Sequence, residues 1–181
     1  MAKKIIGVLV GSLRKESFNK KIAKYVCEII PDDFEVKVID ISGLVLFNQD
    51  YDDEGTTPQE WIKFRQEIKE IDAVLFVTPE YNRSVPPVLK NAIDIASRPP
   101  GQNAWQGKPG AVISVAPGRI GGFGSNHHLR QSMVVLDVRM MQQPEAYISN
   151  VEDILDDQGN VSDKRTQDFL RNFVENYIKW I

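Results

Sequence analysis

Three short apolar runs constrain this chain more than any other feature: Ile5-Ile6-Gly7-Val8-Leu9-Val10, Ala73-Val74-Leu75-Phe76-Val77 and Ala111-Val112-Ile113-Ser114-Val115-Ala116. Each is rich in β-branched residues and lacks the polar alternation of a half-wetted strand, so each reads as a strand covered on both faces. Such strands belong to parallel sheet, and parallel neighbours need crossover connections. Helical spacing fills the gaps: Phe18, Ile22, Tyr25, Val26, Ile29 and Ile30 before Pro31; Trp61, Ile62, Phe64 and Ile68; Val88, Leu89, Ala92, Ile93 and Ala96 after Pro86-Pro87. Residues 34–41 alternate and read as a strand near a sheet edge. A helix from about Ser125 to Leu136, a short fifth strand around Val138 to Met141 closed by Pro144, and a last helix from near Ser162 complete the pattern. The prediction is α/β: a doubly wound, five-stranded parallel sheet with helices on both faces, residues 1–181 forming one domain.

Composition narrows the function classes. A net charge of −3 without a long Lys/Arg block argues against nucleic acid. The single cysteine, Cys27, excludes an internal disulfide framework and reads as a buried structural thiol among Tyr25, Val26 and Ile29. The chain enters its first strand with no signal-peptide pattern and no run of membrane-spanning length, so a cytoplasmic location is expected.

In this architecture ligands bind beyond the carboxyl ends of the strands, where strand order reverses. Three loops lie there: 11–19, 78–84 and 116–122. After Gly11 come Ser12, Arg14, Ser17 and Asn19, all hydrogen-bond donors, at the start of a helix. Helix N-termini attract acids, yet Arg14, Lys15, Lys20 and Lys21 crowd this one against a single Glu16. That arrangement suits a bound anion such as a phosphate; an ordinary Ser17 N-cap beside a solvated lysine face is the alternative. Neither G-x-x-x-x-G-K-[ST] nor G-x-G-x-x-G occurs here, and the serines fit a terminal phosphomonoester better than a pyrophosphate.

The remaining chemistry is sparse. No G-x-S-x-G elbow is present, His127 and His128 are helix neighbours, and no metal-ligand set emerges, with Asp50, Asp52 and Asp53 reading as a solvated turn. Residues 42–58 form a long connection carrying Leu44, Leu46, Phe47 and Tyr51, either lining a ligand site or subunit contact or lying plainly on the surface. A phosphate anchor with few acid–base groups is what a redox cofactor requires. Flavin mononucleotide (FMN) fits: its phosphate on Ser12, Arg14, Ser17 and Asn19, Pro79-Glu80-Tyr81-Asn82 along the ring, and Ser114 to Gly118 at the opposite edge. Tyr81 as a packed aromatic and Glu80 turned to water are the alternatives.

Gly11-Ser12-Leu13-Arg14 with Ser17-Phe18-Asn19, Thr78-Pro79-Glu80-Tyr81-Asn82 with Ser84 and Pro86, and Leu89-Lys90-Asn91-Ala92-Ile93-Asp94 with Ser97-Arg98 closely resemble the NADPH-dependent FMN reductase family. The motifs run in family order over roughly residues 4 to 148. His128-Leu129-Arg130-Gln131 and Gln143-Pro144-Glu145 resemble its quinone and chromate reductase branch. The resemblance implies a flavodoxin-like fold, FMN as cofactor, and phosphate- and ring-binding roles for the first two motifs, Phe18 and Ser84 included. It implies NADPH or NADH as co-substrate, hydride transfer through the flavin to quinones, azo compounds, chromate or free flavin in a ping-pong cycle, and dimers or tetramers. A flavodoxin-like electron carrier and a non-catalytic FMN-binding protein are the alternatives. Arg119 is a candidate contact for the NADPH phosphate, and the tail beyond Ser149 matches less distinctly.

Overall fold

The computed structural model describes residues 2–181. Strands β1 (Lys4–Val10), β2 (Phe34–Ile39), β3 (Ala73–Thr78) and β4 (Pro109–Val115) pair in parallel with two short strands, β5 (Arg139–Met140) and β6 (Ala146–Ile148), in the order β2-β1-β3-β4-β5, with β6 also pairing β4. The doubly wound parallel sheet is thus observed. Order reverses between β1 and β3, because β1 takes β2 on one side and β3 on the other.

The apolar runs are buried on both faces, with alternate residues feeding two cores. Ile6, Val8, Leu75, Val77 and Ile113 meet α1 (Phe18–Ile29) and α6 (Lys164–Trp180). Leu9, Val74, Phe76 and Val112 meet α3 (Gln59–Glu70), α4 (Pro87–Ala96) and α5 (Phe123–Val135). Edge strand β2 is wetter: Lys37 reaches Glu67 at 3.3 Å, and Val38 is exposed.

Two features go beyond expectation. The short fifth strand is β5, which ends before Pro144 as expected, but a sixth strand, β6, follows the proline and pairs β4 further along; Pro144, lacking an N–H, separates the two. Helix α5 serves the interruption: Arg130 Nη1 donates to the Met141 carbonyl at 2.8 Å and Asn126 Nδ2 to that of Ala146 at 3.2 Å.

The second is 42–58, which is not wholly irregular. It contains a helical turn, α2 (Asp50–Asp53), and is pinned at three places. Asn91 on α4 accepts from the Phe47 N–H at 2.8 Å and donates to the Leu44 and Val45 carbonyls. Trp61 stacks on Phe47 and donates Nε1 to the Val45 carbonyl at 3.1 Å. Arg65 grips Asp52 with two 2.7 Å hydrogen bonds, so Asp52 is paired rather than solvated.

Candidate active site

The three loops converge at the carboxyl ends of β1, β3 and β4, around the point where strand order reverses. Gly11 joins the first two, its N–H donating to the Val77 carbonyl at 2.9 Å. Beyond it Ser12, Ser17 and Asn19 are buried, while Arg14 is exposed. Ser17 is indeed the N-cap of α1, its side chain accepting from the Lys20 N–H at 3.3 Å. Capping leaves much unsatisfied: among the described residues, the backbone N–H groups of 12 to 19 have no protein acceptor, and the first turn of α1 holds no acid. The buried amide oxygen of Asn19 likewise has no partner. Glu16 turns away to pair with Lys21 at 3.4 Å. N–H groups without acceptors at a helix start and an exposed arginine form a donor set that suits an anion, while the Asn19 amide oxygen, an acceptor, adds nothing to it.

The second loop is a tight hairpin. Tyr81 and Ser84 exchange backbone hydrogen bonds of 3.1 and 3.0 Å across Asn82 and Arg83, both at positive φ (51° and 65°). Two successive left-handed residues define a type I′ turn. Tyr81 is 42% exposed, not a packed core aromatic. Glu80 does not face water: its side chain is 12% exposed, and Oε2 accepts from the Ser125 N–H at 3.1 Å. Ser84 Oγ lies 3.1 Å from His128 Nδ1, and Pro79 is buried.

The third loop divides its expected contacts. Gly118 is exposed at its outer end. Ser114, by contrast, is fully buried: its hydroxyl donates to the Gly121 carbonyl at 2.7 Å and accepts from Asn126 Nδ2 at 3.3 Å. It shapes the loop from beneath and presents no free group to the cleft. Gly121 and Gly122, at φ 61° and 76°, permit this closeness, since Cβ atoms there would lie 2.9 Å from Tyr147 backbone and Ser114 Cβ respectively.

His127 and His128 point apart. His127 Nε2 lies 2.9 Å from the Tyr147 hydroxyl, whose pKa is pushed up to about 12 by burial and by nearby Glu145. Burial also raises the Cys27 thiol to about 11, leaving little reactive thiolate. A concavity of about 810 Å³ lies elsewhere, along α1 and β2, and reaches the loops only at Ser12 and Leu13. Ser125 and Asn126, which tie the loops together, were not picked out in the sequence, because the contacts that do so, to Thr78, Ser114 and the Ala146 carbonyl, lie 12 to 47 residues away.

A family model described as NADPH-dependent FMN reductase matches residues 4–153. The chain belongs to the NADPH-dependent FMN reductase family. Within it, a quinone reductase of Pseudomonas putida is 53% identical over 176 residues, covering 97% of this chain and 94% of the relative. A 2-hydroxy-1,4-benzoquinone reductase of a Burkholderia species is 46% identical, covering 97% and 95%. The solved structure of FerB, a flavoenzyme NAD(P)H:(acceptor) oxidoreductase from Paracoccus denitrificans, superposes with a TM-score of 0.90 at 40% identity, covering 98% of this chain and 96% of FerB. The FMN reductase fold seen here is therefore the flavodoxin-like one predicted.

Proposed function

We propose that this protein is an FMN-dependent NAD(P)H:quinone oxidoreductase, acting as one domain over residues 1–181. The observation that carries the proposal is the cradle at 12–19: N–H groups without acceptors among the described residues, the exposed Arg14 and a first helical turn without acids. These groups fit a phosphomonoester dianion, and the relatives named for quinone reduction support the acceptor class.

In this reading Ser12, Arg14, Ser17 and Asn19 hold the phosphate, and Phe18 packs beside them. Pro79, Glu80, Tyr81, Asn82 and Ser84 form the turn along the ring. Among the described residues, its N–H groups at Glu80, Asn82 and Arg83 have no protein acceptor and are free to orient a ligand. Gly118 borders the far edge. FMN, when bound, would supply the redox chemistry that links NADPH or NADH to a quinone. The protein anchors the phosphate, fixes the turn and keeps one side of the cleft open, so that donor and acceptor use it in succession. Assembly as a homodimer or homotetramer and a cytoplasmic location complete the proposal; among the described residues no helix is long and apolar enough to cross a membrane.

The test is an absorbance spectrum of the protein supplied with FMN, followed by anaerobic NADPH and then a quinone. A bound flavin band that bleaches and returns supports the reductase. A bound band that NADPH leaves unchanged supports an electron carrier, and failure to bind FMN overturns the reading. Replacing Arg14 by alanine should weaken FMN binding about tenfold, the low end of a charge-assisted hydrogen bond of ~1.5–3 kcal/mol. Equal dissociation constants for variant and wild type would remove Arg14 from the site.

A further inference from the structure

Helix α5 starts without a cap of its own. Its N-cap position is Gly122, in the left-handed region with no side chain to accept a hydrogen bond, and its first turn contains no acid. The missing acceptor comes from another loop: Glu80 Oε2 receives the Ser125 N–H at 3.1 Å. The other partner of Glu80 is weaker. Arg83 Nη1 lies 3.4 Å away at the end of a side chain that is 71% exposed, where an ion pair contributes little.

The same junction carries two more contacts. Ser125 Oγ lies 3.1 Å from Thr78 Oγ1, at the end of β3. Gly124 lets the turn approach the helix closely, since a Cβ there would lie 2.7 Å from the Arg83 carbonyl oxygen and 3.0 Å from Glu80 Oε2. The turn itself holds two consecutive non-glycine residues at positive φ, a conformation that persists only where its surroundings enforce it. Among the described residues, its N–H groups at Glu80, Asn82 and Arg83 have no protein acceptor.

We propose that Glu80 is a positioning residue: its carboxylate caps α5 from outside the helix and so holds the 79–84 turn, with its free N–H groups, in one arrangement at the edge of the cleft. The capping rests on the contacts above; its consequence for the flavin rests on the function proposed for the site. A carboxylate suits the place twice over, as an acceptor for an orphan N–H and as a negative charge at the positive end of a helix. Glu80 thereby acts on the ligand through the backbone.

The experiment compares wild type, Glu80→Ala and Glu80→Gln as full chains, using amide hydrogen exchange without FMN and FMN titration followed by fluorescence. Glu80→Ala should speed exchange in 79–84 and 123–126 alone and raise the FMN dissociation constant about tenfold, the scale of a lost helix cap. Glu80→Gln keeps an oxygen acceptor and should restore most of both. Unchanged exchange in Glu80→Ala, faster exchange spread over the whole chain, or a glutamine variant as impaired as the alanine one would each overturn the proposal. Failure of the wild type to bind FMN would overturn the flavin consequence, separately from the exchange result that decides the capping.

Discussion

Replacing Arg65 by alanine is expected to lower the unfolding free energy by about 3 kcal/mol, the low end of the range for removing one partner of a buried ion pair. The Arg65 and Asp52 side chains are only 11% and 7% exposed and meet through two 2.7 Å hydrogen bonds. Arg65 also donates Nε to the Ile95 carbonyl at 2.9 Å and lies over the Trp61 ring. Its loss strands a carboxylate, frees a carbonyl and unpins the 42–58 connection together. Hydrogen bonding from Arg65 holds the Asp52 carboxyl below the usual carboxylate range. A depressed folded-state pKa stabilises the fold above the unfolded value of about 3.9, and that contribution disappears as pH falls through the folded value. Denaturant unfolding of wild type and variant at neutral pH and in acid should therefore show their difference shrinking in acid. A constant gap would show that packing, not the pair, accounts for the loss.

The largest functional effect is expected for Asn19→Asp. The substitution preserves shape and places a carboxylate where the helix start and the row of N–H groups favour an anion. The protein without flavin should change by no more than about 1 kcal/mol in stability. A phosphate brought to the same cradle meets a like charge. At about 4 Å and an effective dielectric of 20, two unit charges repel by about 4 kcal/mol. A rise of about a hundredfold in the FMN dissociation constant, equal to about 2.7 kcal/mol, requires only part of that. Riboflavin, which has no phosphate, provides the control: its binding should be nearly unaffected. Equal losses for both ligands, or none for FMN, would place the phosphate elsewhere.

The layered α/β fold was legible because the information is local. Uninterrupted apolar runs such as 73–77 have low free energy only when both faces are covered, and helical spacing between them leaves parallel pairing as the consistent topology. The start of α1 was legible for a similar reason: Ser17 as a cap and lysines without acids state their electrostatic preference within one turn. The sixth strand was not legible: Pro144 marks the end of local pairing, whereas the strand at Ala146–Ile148 depends on β4 beside it and on Arg130 and Asn126 from α5.

The sequence by itself determined the architecture, the position of the three loops and the anionic preference of the first, since each follows from periodicity, turn chemistry and charge within a few neighbours. Tertiary structure decided how the loops are held. It turned Ser114 inward, gave Glu80 to the start of α5 and locked 42–58 through Asn91, Trp61 and Arg65. Those outcomes depend on partners 7 to 47 residues apart. Buried polar groups must find acceptors wherever folding places them, and the chain order of the residues does not say where that is.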